Sequence, residues 1–370
     1  MLFRSTFASG AADFNGTITV IDEDLLELGT LNLNETVKIG NDYYTLRQAN
    51  GNLGVTITDV TGIEVSRGDI DNSGISDVLF QWTGGGYQLG YWMNGRSVEA
   101  GESTWKCTGM THSKDWEVLG NYVMDGDGNA DTVLVGNVEP APGFKGAYIG
   151  YYKDGVDLDE NWVTIGYLTN DNNIEWKNKV GNLTGNADAN SILWYAPELY
   201  ALGVWKDGRE DWQMISSHFG GDDWTLAGCG DFDGDGKDSV VMSYANGLGF
   251  YSVELDGSVT SMGGLNWAGW EIRAIGDFSG DRKDDVVLFH KDTGSMVLLA
   301  DGNLDSYTSI GQLDPEDWFV VGAGDYNGDQ KDDLLVRQYS TGTLGYYVCA
   351  DQSKWTELGN GVSMDWTVIA

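Results

Sequence analysis

Six short acidic loops, each followed at once by a run of β-forming residues, recur along the chain and constrain its fold. A clear copy reads Gly-Asp-Phe-Asp-Gly-Asp-Gly-Lys-Asp-Ser-Val-Val-Met from Gly230. The copies, called loops 1 to 6 in chain order, begin at Asp69, Val123, Asn182, Asp231, Asp277 and Asp325. A period of about 50 residues is typical of the four-stranded blade of a β-propeller.

The segments around each loop repeat in a fixed order. A Trp opens an apolar first strand, as in Asp-Trp-Thr-Leu-Ala-Gly at 223–228, and the loop and a second strand follow. The third strand carries Leu-Gly before aromatic residues, as in Leu-Gly-Tyr-Tyr from Leu344, and a fourth strand leads to the next Trp. Apolar runs without alternation indicate strands buried on both faces. We therefore assign the third-strand aromatics to the core between blades, with sugar stacking as the alternative.

The two ends of the chain predict how the ring closes. Residues 365–370 repeat a first strand, and residues 44–54 resemble residues 335–345. We predict one all-β domain, a seven-bladed β-propeller of four-stranded antiparallel blades. Residues 62–361 would form six loop-bearing blades, and residues 1–61 and 362–370 would share a closing blade by pairing N- and C-terminal strands. Rings of six or eight blades are the alternatives.

The loops offer oxygen atoms at alternate positions, which suits a hard divalent cation. Numbered from the first residue of a loop, positions 1, 3, 5 and 9 supply side chains and position 7 supplies a backbone carbonyl, as at the start of an EF-hand loop. Magnesium favours a stricter octahedral geometry, so we predict about five Ca²⁺ sites. The predicted ligands are Asp69, Asp71, Ser73, Ile75 and Asp77 in loop 1; Asp125, Asp127, Asn129 and Asp131 in loop 2; Asp231, Asp233, Asp235, Lys237 and Ser239 in loop 4; Asp277, Ser279, Asp281, Lys283 and Asp285 in loop 5; and Asp325, Asn327, Asp329, Lys331 and Asp333 in loop 6.

The copies differ in quality as cation sites. Loop 2 has no acid at position 1, and loop 4 has Ser239 at position 9 beside Asp238. Loop 3 is almost uncharged, and we expect it to bind a cation weakly or not at all; its side chains at alternate positions are Asn182, Thr184, Asn186, Asp188 and Asn190. The alternative for every copy is an ordinary solvated Asp-Gly turn.

The loop motif, each copy following a strand that ends in Gly, resembles the FG-GAP repeats, also called VCBS repeats. The resemblance extends from about residue 62 to residue 340. Such repeats build the integrin α-chain propeller and propellers of secreted bacterial proteins and fungal lectins. The resemblance implies the propeller fold and calcium binding. It leaves the function open, because the family includes adhesion modules, lectins and scaffolds of polysaccharide lyases.

Composition narrows the classes of partner. With 21 Lys and Arg against 57 Asp and Glu, the net charge of −36 argues against nucleic acid and anionic membrane surfaces. No apolar run approaches the length of a membrane span, so membrane insertion is not expected. Three scattered histidines, His112, His218 and His290, form no catalytic motif.

We therefore predict a non-catalytic, calcium-stabilised recognition or adhesion propeller. Its expected partner is a glycan or a cell-surface protein, and its expected location is extracellular or at the cell surface, where millimolar calcium would fill such loops. One alternative is an enzyme of the polysaccharide-lyase type, which would need a polar cluster in a groove. Another is a structural domain of a larger surface protein.

Overall fold

The protein divides into two compact units, Met1–Glu64 and Val65–Ala370. The structure is a computed structural model. It describes residues 2–5, 18–21, 27–31, 36–39, 42–49, 52–58, 68–82, 88–93, 105–110, 116–136, 146–155, 161–169, 174, 176–245, 249–263, 268–362 and 366–369.

The first unit contains two three-stranded antiparallel sheets. One sheet has the order β1-β2-β3, formed by Leu2–Ser5, Ile18–Ile21 and Glu27–Leu31. The other has the order β4-β5-β6, formed by Thr36–Ile39, Asp42–Ala49 and Asn52–Thr58. The segment 44–54, which resembles blade sequence, forms part of the β5–β6 hairpin, with Arg47 opposite Gly54.

The second unit contains six four-stranded antiparallel sheets, numbered as blades 1 to 6. Blade 1 has the order β30-β7-β8-β9 and the other blades follow chain order. The strands are Val78–Trp82 (β7), Gln88–Trp92 (β8), Trp105–Met110 (β9) and Trp366–Ile369 (β30) in blade 1; Trp116–Tyr122 (β10), Asp131–Gly136 (β11), Gly146–Tyr152 (β12) and Trp162–Thr169 (β13) in blade 2; Lys177–Gly181 (β14), Ser191–Ala196 (β15), Ala201–Trp205 (β16) and Trp212–Ser216 (β17) in blade 3; Trp224–Gly230 (β18), Ser239–Tyr244 (β19), Gly249–Val253 (β20) and Val259–Ser261 (β21) in blade 4; Trp270–Gly276 (β22), Asp285–His290 (β23), Ser295–Leu299 (β24) and Tyr307–Gln312 (β25) in blade 5; and Trp318–Gly324 (β26), Asp333–Gln338 (β27), Leu344–Tyr347 (β28) and Trp355–Gly359 (β29) in blade 6. Short 3-10 turns occupy Lys153–Gly155, Pro197–Leu199, Lys206–Gly208, Ala300–Gly302 and Val348–Ala350.

The first strands of the blades contact each other in a closed cycle. Strand β10 contacts β14, β14 contacts β18, β18 contacts β22, β22 contacts β26, β26 contacts β30, and β30 contacts β10. The described part of the second unit is therefore an all-β propeller of six blades. The prediction of seven blades is wrong, and six was one of the alternatives.

The predicted closing blade is also wrong. The C-terminal strand β30 pairs with β7, with Trp366 opposite Trp82 and Val368 opposite Phe80. It therefore supplies the first strand of the blade that carries loop 1. Residues 1–61 were expected to pair with it, but among the described residues they form the sheets of the first unit. Pairing of N- and C-terminal strands thus does not close the ring.

Hydrophobic clusters between neighbouring blades hold the ring together. In the described residues each of the six blade interfaces contains one such cluster. Adjacent residues of one second strand face opposite neighbours: Val286 packs toward blade 4 and Val287 toward blade 6. This arrangement explains the apolar runs without alternation, because both faces of the strand are buried.

The Leu-Gly pair of the third strand makes room for a tryptophan of the fourth strand. A Cβ atom added at Gly203 would lie 2.3 Å from the Trp212 ring, and one at Gly90 would lie 2.3 Å from Trp105. Most third-strand aromatics are buried, including Tyr91 at 1% exposure. The assignment of these side chains to the core between blades is confirmed for Tyr91, Tyr151, Tyr152, Trp205, Phe250, Tyr346 and Tyr347.

Gly294, between the second and third strands of blade 5, tests how tightly the chain packs at that connection. Gly294 has φ +70°, and a Cβ there would lie 1.7 Å from the Leu313 carbonyl oxygen; Gly221 has φ +84° with nothing within 4 Å. Both Gly→Ala changes incur the left-handed backbone cost of about 1 kcal/mol, but only Gly294→Ala adds a clash with backbone. We expect Gly294→Ala to lower the free energy of unfolding in urea by about 3 kcal/mol more than Gly221→Ala. Equal losses would contradict this packing.

Candidate metal centres

The six loops lie at one end of the ring, called the acidic end. Each loop leads directly into the second strand of its blade. Because the strands of a blade are antiparallel, the turns between third and fourth strands lie at this same end. The connections between second and third strands lie at the opposite end, together with the starts of the first strands.

In four loops the aspartate at position 1 organises the backbone around its carboxylate. Asp277 accepts the N–H groups of residues 280–282 at 2.6, 3.2 and 2.8 Å. Asp231 and Asp325 accept three backbone N–H groups in the same way, and Asp69 accepts two. A carboxylate has about four lone-pair sites, so the backbone bonds leave at least one site in each loop, which in loop 5 accepts Ser279 Oγ.

The aspartate at position 9 links a loop to the turn between third and fourth strands. Asp131, Asp285 and Asp333 are fully buried at the first residue of their strands. Asp333 accepts the N–H of Tyr326 in its loop at 3.2 Å and that of Cys349 in the turn at 3.0 Å. Burial raises the pKa of Asp131 and Asp333 to about 7 and that of Asp285 to about 6. Burial thus penalises the charged carboxylates, and a nearby cation would offset that penalty.

Loops 1 and 4 bring three carboxylates together. Among the described residues, carboxylate oxygens lie within 4.8 Å of one another in two triplets, Asp69–Asp71–Asp77 and Asp231–Asp233–Asp235. In loop 1, Ser73 Oγ lies 3.4 Å from Asp69 Oδ1 and also 3.4 Å from the Ile75 carbonyl oxygen. Burial raises the pKa of Asp69 to about 7. Loop 1 therefore gathers oxygen donors from all five positions predicted as ligands.

Loops 5 and 6 connect their predicted ligands by hydrogen bonds. In loop 5, Ser279 Oγ donates to Asp277 Oδ1 at 3.3 Å. In loop 6, Asn327 Nδ2 donates to Asp333 Oδ2 at 3.1 Å. The position-5 carboxylates in these loops, Asp281 and Asp329, accept the N–H groups of Lys283 and Lys331 at 3.1 and 3.0 Å. These contacts join positions 1 and 3 in loop 5 and positions 3 and 9 in loop 6.

The lysines at position 7 direct their ammonium groups to different partners. Lys283 Nζ lies 3.2 Å from Asp301, outside loop 5. Lys331 Nζ donates to the Ser279 carbonyl oxygen of the neighbouring loop at 2.7 Å. Lys237 pairs with Asp235 at an exposed edge of loop 4. At position 9 of loop 4, Ser239 donates to Glu254 at 2.6 Å.

Loop 2 already contains a positively charged group. Lys153 Nζ, from the turn after β12, lies 2.5 Å from Asp125 Oδ2 and 3.7 Å from Asp127 Oδ2. The hydrogen bond to Asp125 raises the pKa of Lys153 above its usual range, so the amine stays charged. Asn129 Nδ2 donates to Asp154 at 2.7 Å, outside the loop. Loop 2 therefore differs from loops 1 and 4, although the sequence predicts a cation site in all three.

Loop 3 is one residue longer than its numbering from the sequence implies. The N–H of Asn190 donates to the Val123 carbonyl, as position-8 residues do in other loops, and Ser191 begins the second strand. Ser191 Oγ accepts the N–H of Asp207 in the turn at 3.2 Å. Position 9 is therefore Ser191, and the assignment of Asn190 is corrected because the loop contains an inserted residue.

Neighbouring loops are joined by a closed set of hydrogen bonds that the sequence did not reveal. The N–H of position 8 in each loop donates to the carbonyl of position 1 in the preceding loop, over 2.6 to 2.9 Å. The donors and acceptors are Ser76 and Asp325, Ala130 and Asp69, Asn190 and Val123, Asp238 and Asn182, Asp284 and Asp231, and Asp332 and Asp277. We call these six bonds the loop ring.

Three carboxylates reinforce the loop ring. Asp238, Asp284 and Asp332 accept the backbone N–H of position 1 in the preceding loop at 2.7, 2.9 and 2.9 Å. The signal in the sequence is an acid at position 8, directly before position 9, in loops 4 to 6. These residues join one blade to the next, and they lie outside the alternating positions that predict cation ligands.

The opposite end of the ring carries exposed tyrosines. Tyr200, Tyr244 and Tyr339 stand at or beside the connection between second and third strands, in blades 3, 4 and 6, and are 53%, 36% and 46% exposed. Tyr244 packs on Trp224 and Tyr339 on Phe319, with ring centroids 4.9 and 4.6 Å apart. These tyrosines therefore combine an exposed face with a neighbour that fixes the ring.

The two described histidines make local contacts at this same end. His290 Nδ1 accepts the N–H groups of Asp292 and Thr293 at 3.3 Å, and its ring packs edge-on against Trp270. His218 Nδ1 lies 3.3 Å from Ser216 Oγ. His112 lies outside the described residues. The contacts of His290 are those of a residue that shapes a turn.

Comparisons with known proteins give distant similarities. No family model matches the chain, so the FG-GAP resemblance has no such support, and no curated protein matches it. Among solved structures the chain is similar to a nidogen–laminin complex, with TM-score 0.47, 11% identity and coverage of 79% of this chain and 96% of that one. It is also similar to a streptogramin B lyase, with TM-score 0.40, 11% identity and coverage of 86% and 87%.

A third similar structure is the inactive virginiamycin B lyase from Staphylococcus aureus with quinupristin, with TM-score 0.43, 11% identity and coverage of 67% and 71%. At these scores the similarities carry no argument about function. No helix among the described residues has the length and apolar character needed to cross a membrane. By its own sheets and the cycle of its first strands, the second unit of this chain is a β-propeller.

Proposed function

We propose that the chain is a calcium-stabilised recognition propeller, with Ca²⁺ in loops 1, 4, 5 and 6 and a binding surface at the opposite end. The observation that carries the proposal is the triplet of Asp69, Asp71 and Asp77 in loop 1. Its donors are all oxygen, which is the chemistry that Ca²⁺ prefers. Asp69 and Asp77 are also buried, so their charges are poorly hydrated without a cation.

The residues of these four loops fit a calcium ion in number and type. Each loop has a carboxylate at position 1 and a second one at position 3 or 5, and loops 1, 5 and 6 have another at position 9. A bound calcium would neutralise the facing carboxylates and cross-link loop residues. The chain's own contribution is to hold those residues in place through the backbone bonds to positions 1 and 9. The role proposed for the ion is structural.

The tyrosines support recognition at the opposite end. Tyrosine offers a large contact area that loses little conformational entropy on binding, and it stacks well on sugar rings and protein surfaces. Tyr200 lies against the backbone of Gly220, where an added Cβ would meet its ring at 2.0 Å. We propose a glycan or a surface protein as the partner, and an extracellular or cell-surface location. A domain of a larger surface protein would have the same location.

Substitution of the three tyrosines tests this surface. We expect a glycan array, or capture of surface proteins, to detect binding by the wild type in calcium. The triple variant Tyr200→Ala, Tyr244→Ala, Tyr339→Ala should lose at least about tenfold in affinity, because each aromatic contact contributes about 1 kcal/mol or more. Tyr307→Ala is the matched control, since Tyr307 is 58% exposed but begins a fourth strand at the acidic end. Unchanged binding by the triple variant would refute this location.

A further inference from the structure

The loops that lack an aspartate at position 1 are the loops whose blades have a lysine as the first residue of the adjacent turn. Loops 2 and 3 begin with Val123 and Asn182, and the turns after the third strands of their blades begin with Lys153 and Lys206. In the four blades with aspartate at position 1, the corresponding residues are Met93, Glu254, Ala300 and Val348. Backbone contacts support this equivalence, since Lys153, Lys206, Glu254 and Val348 each donate an N–H across the same turn.

The two lysines have different surroundings. Lys153 contacts both Asp125 and Asp127, and the Asp125 side chain is only 16% exposed. Lys206 pairs with Asp211, at 3.3 Å, whose side chain is 66% exposed. In loop 3 the side chain at position 3, Thr184, donates instead to Asp207. Among the described loops, an ammonium group contacts two loop carboxylates only in loop 2; in loop 4, Lys237 contacts one, Asp235, at an exposed edge.

We propose that the Lys153 ammonium group is the resident cation of loop 2 and takes the place of a divalent ion there. The inference rests on the proposed function in one respect: loops 1, 4, 5 and 6 are taken to bind calcium. A calcium ion in loop 2 would have to displace an ammonium that already contacts two of its carboxylates. It would also lack the position-1 carboxylate that the other four loops supply. The acidic end is thus fastened by four calcium ions and one lysine, in place of the five calcium ions expected from the sequence.

Melting in excess chelator tests the lysine independently of calcium. Lys153→Met removes the charge but keeps a long apolar side chain, and leaves Asp125 and Asp127 facing each other. We expect its melting temperature in chelator to fall about 3 °C below that of the wild type in chelator. Lys206→Met, the matched control from the same type of turn, should stay within about 1 °C. Equal melting of the two variants would overturn the proposal.

Restoring the missing acid tests the exclusion of calcium. The double variant Val123→Asp, Lys153→Ser gives loop 2 the acidic pattern of loops 1, 5 and 6. After equilibrium dialysis against calcium, metal analysis should find one more calcium per chain than in the wild type. An unchanged count, with the wild type still binding calcium, would overturn the exclusion. If the wild type binds none, the proposed function fails, while the chelator melts still decide the role of Lys153.

Discussion

Transfer of the protein from millimolar calcium to excess chelator is expected to lower its melting temperature by at least about 10 °C. A site filled at about 100 times its Kd stabilises the folded state by about 2.7 kcal/mol. For a unit of this size, 1 kcal/mol corresponds to about 2–4 °C, so even two filled sites reach the expected shift. Differential scanning calorimetry measures the change, and restoring calcium should reverse it.

Two aspartates from different loops, replaced one at a time, provide the control for this result. Asp71 in loop 1 and Asp188 in loop 3 are both exposed carboxylates of acidic-end loops. Asp71 belongs to the carboxylate triplet, whereas loop 3 is nearly uncharged. Asp71→Ala should therefore reduce the difference between the calcium and chelator melts, and Asp188→Ala should leave it unchanged. A melting temperature that is the same in calcium and in excess chelator would refute the calcium proposal.

Loss of one carboxylate from the loop ring is expected to destabilise the protein with or without calcium. Asp332 is 6% exposed and accepts the N–H of Asp277 from the preceding blade at 2.9 Å. Asp332→Ala leaves that buried N–H without its acceptor and opens space beside Gly276. We expect the free energy of unfolding to fall by about 3 kcal/mol.

Urea unfolding measured both in calcium and in chelator separates this effect from metal binding. The urea unfolding curve of Asp332→Ala should shift by a similar amount in calcium and in chelator, because the lost bond joins protein groups. Asp256→Ala is the control, since Asp256 accepts a local bond from Ser258 in an exposed turn. If the Asp332 variant loses stability only in calcium, the carboxylate acts through the ion and its role in the loop ring is wrong.

The sequence predicted the structure of a single blade better than the number of blades. The Trp-initiated strand, the acidic loop and the Leu-Gly pair are local signals, and each corresponds to an element of a blade. The blade count depends on which strand the last segment joins. Trp366–Ile369 has the pattern of any first strand, and only the three-dimensional pairing with Val78–Trp82 shows that it completes blade 1. Periodicity alone does not carry that information.

The candidate site shows the same division between local and long-range information. Alternate oxygen-bearing residues were visible in loop 1, where the structure brings Asp69, Asp71 and Asp77 together. Neighbouring acids at a strand start point in opposite directions, so Asp284 reaches the preceding blade while Asp285 serves its own loop. The contact of Lys153 with loop 2 depends on strand pairing within blade 2, which spacing did not reveal.

The loop ring leaves the propeller without a terminal repeat, whereas a linear repeat array has one at each end. In a linear array the outermost repeat has one neighbour, so it can detach by breaking a single interface, and unfolding spreads from there. Among the described blades each has two neighbours, joined by a hydrophobic cluster and a loop-ring bond on either side. Release of any one blade must disrupt two interfaces at once. The ring should therefore resist fraying and melt in one cooperative transition.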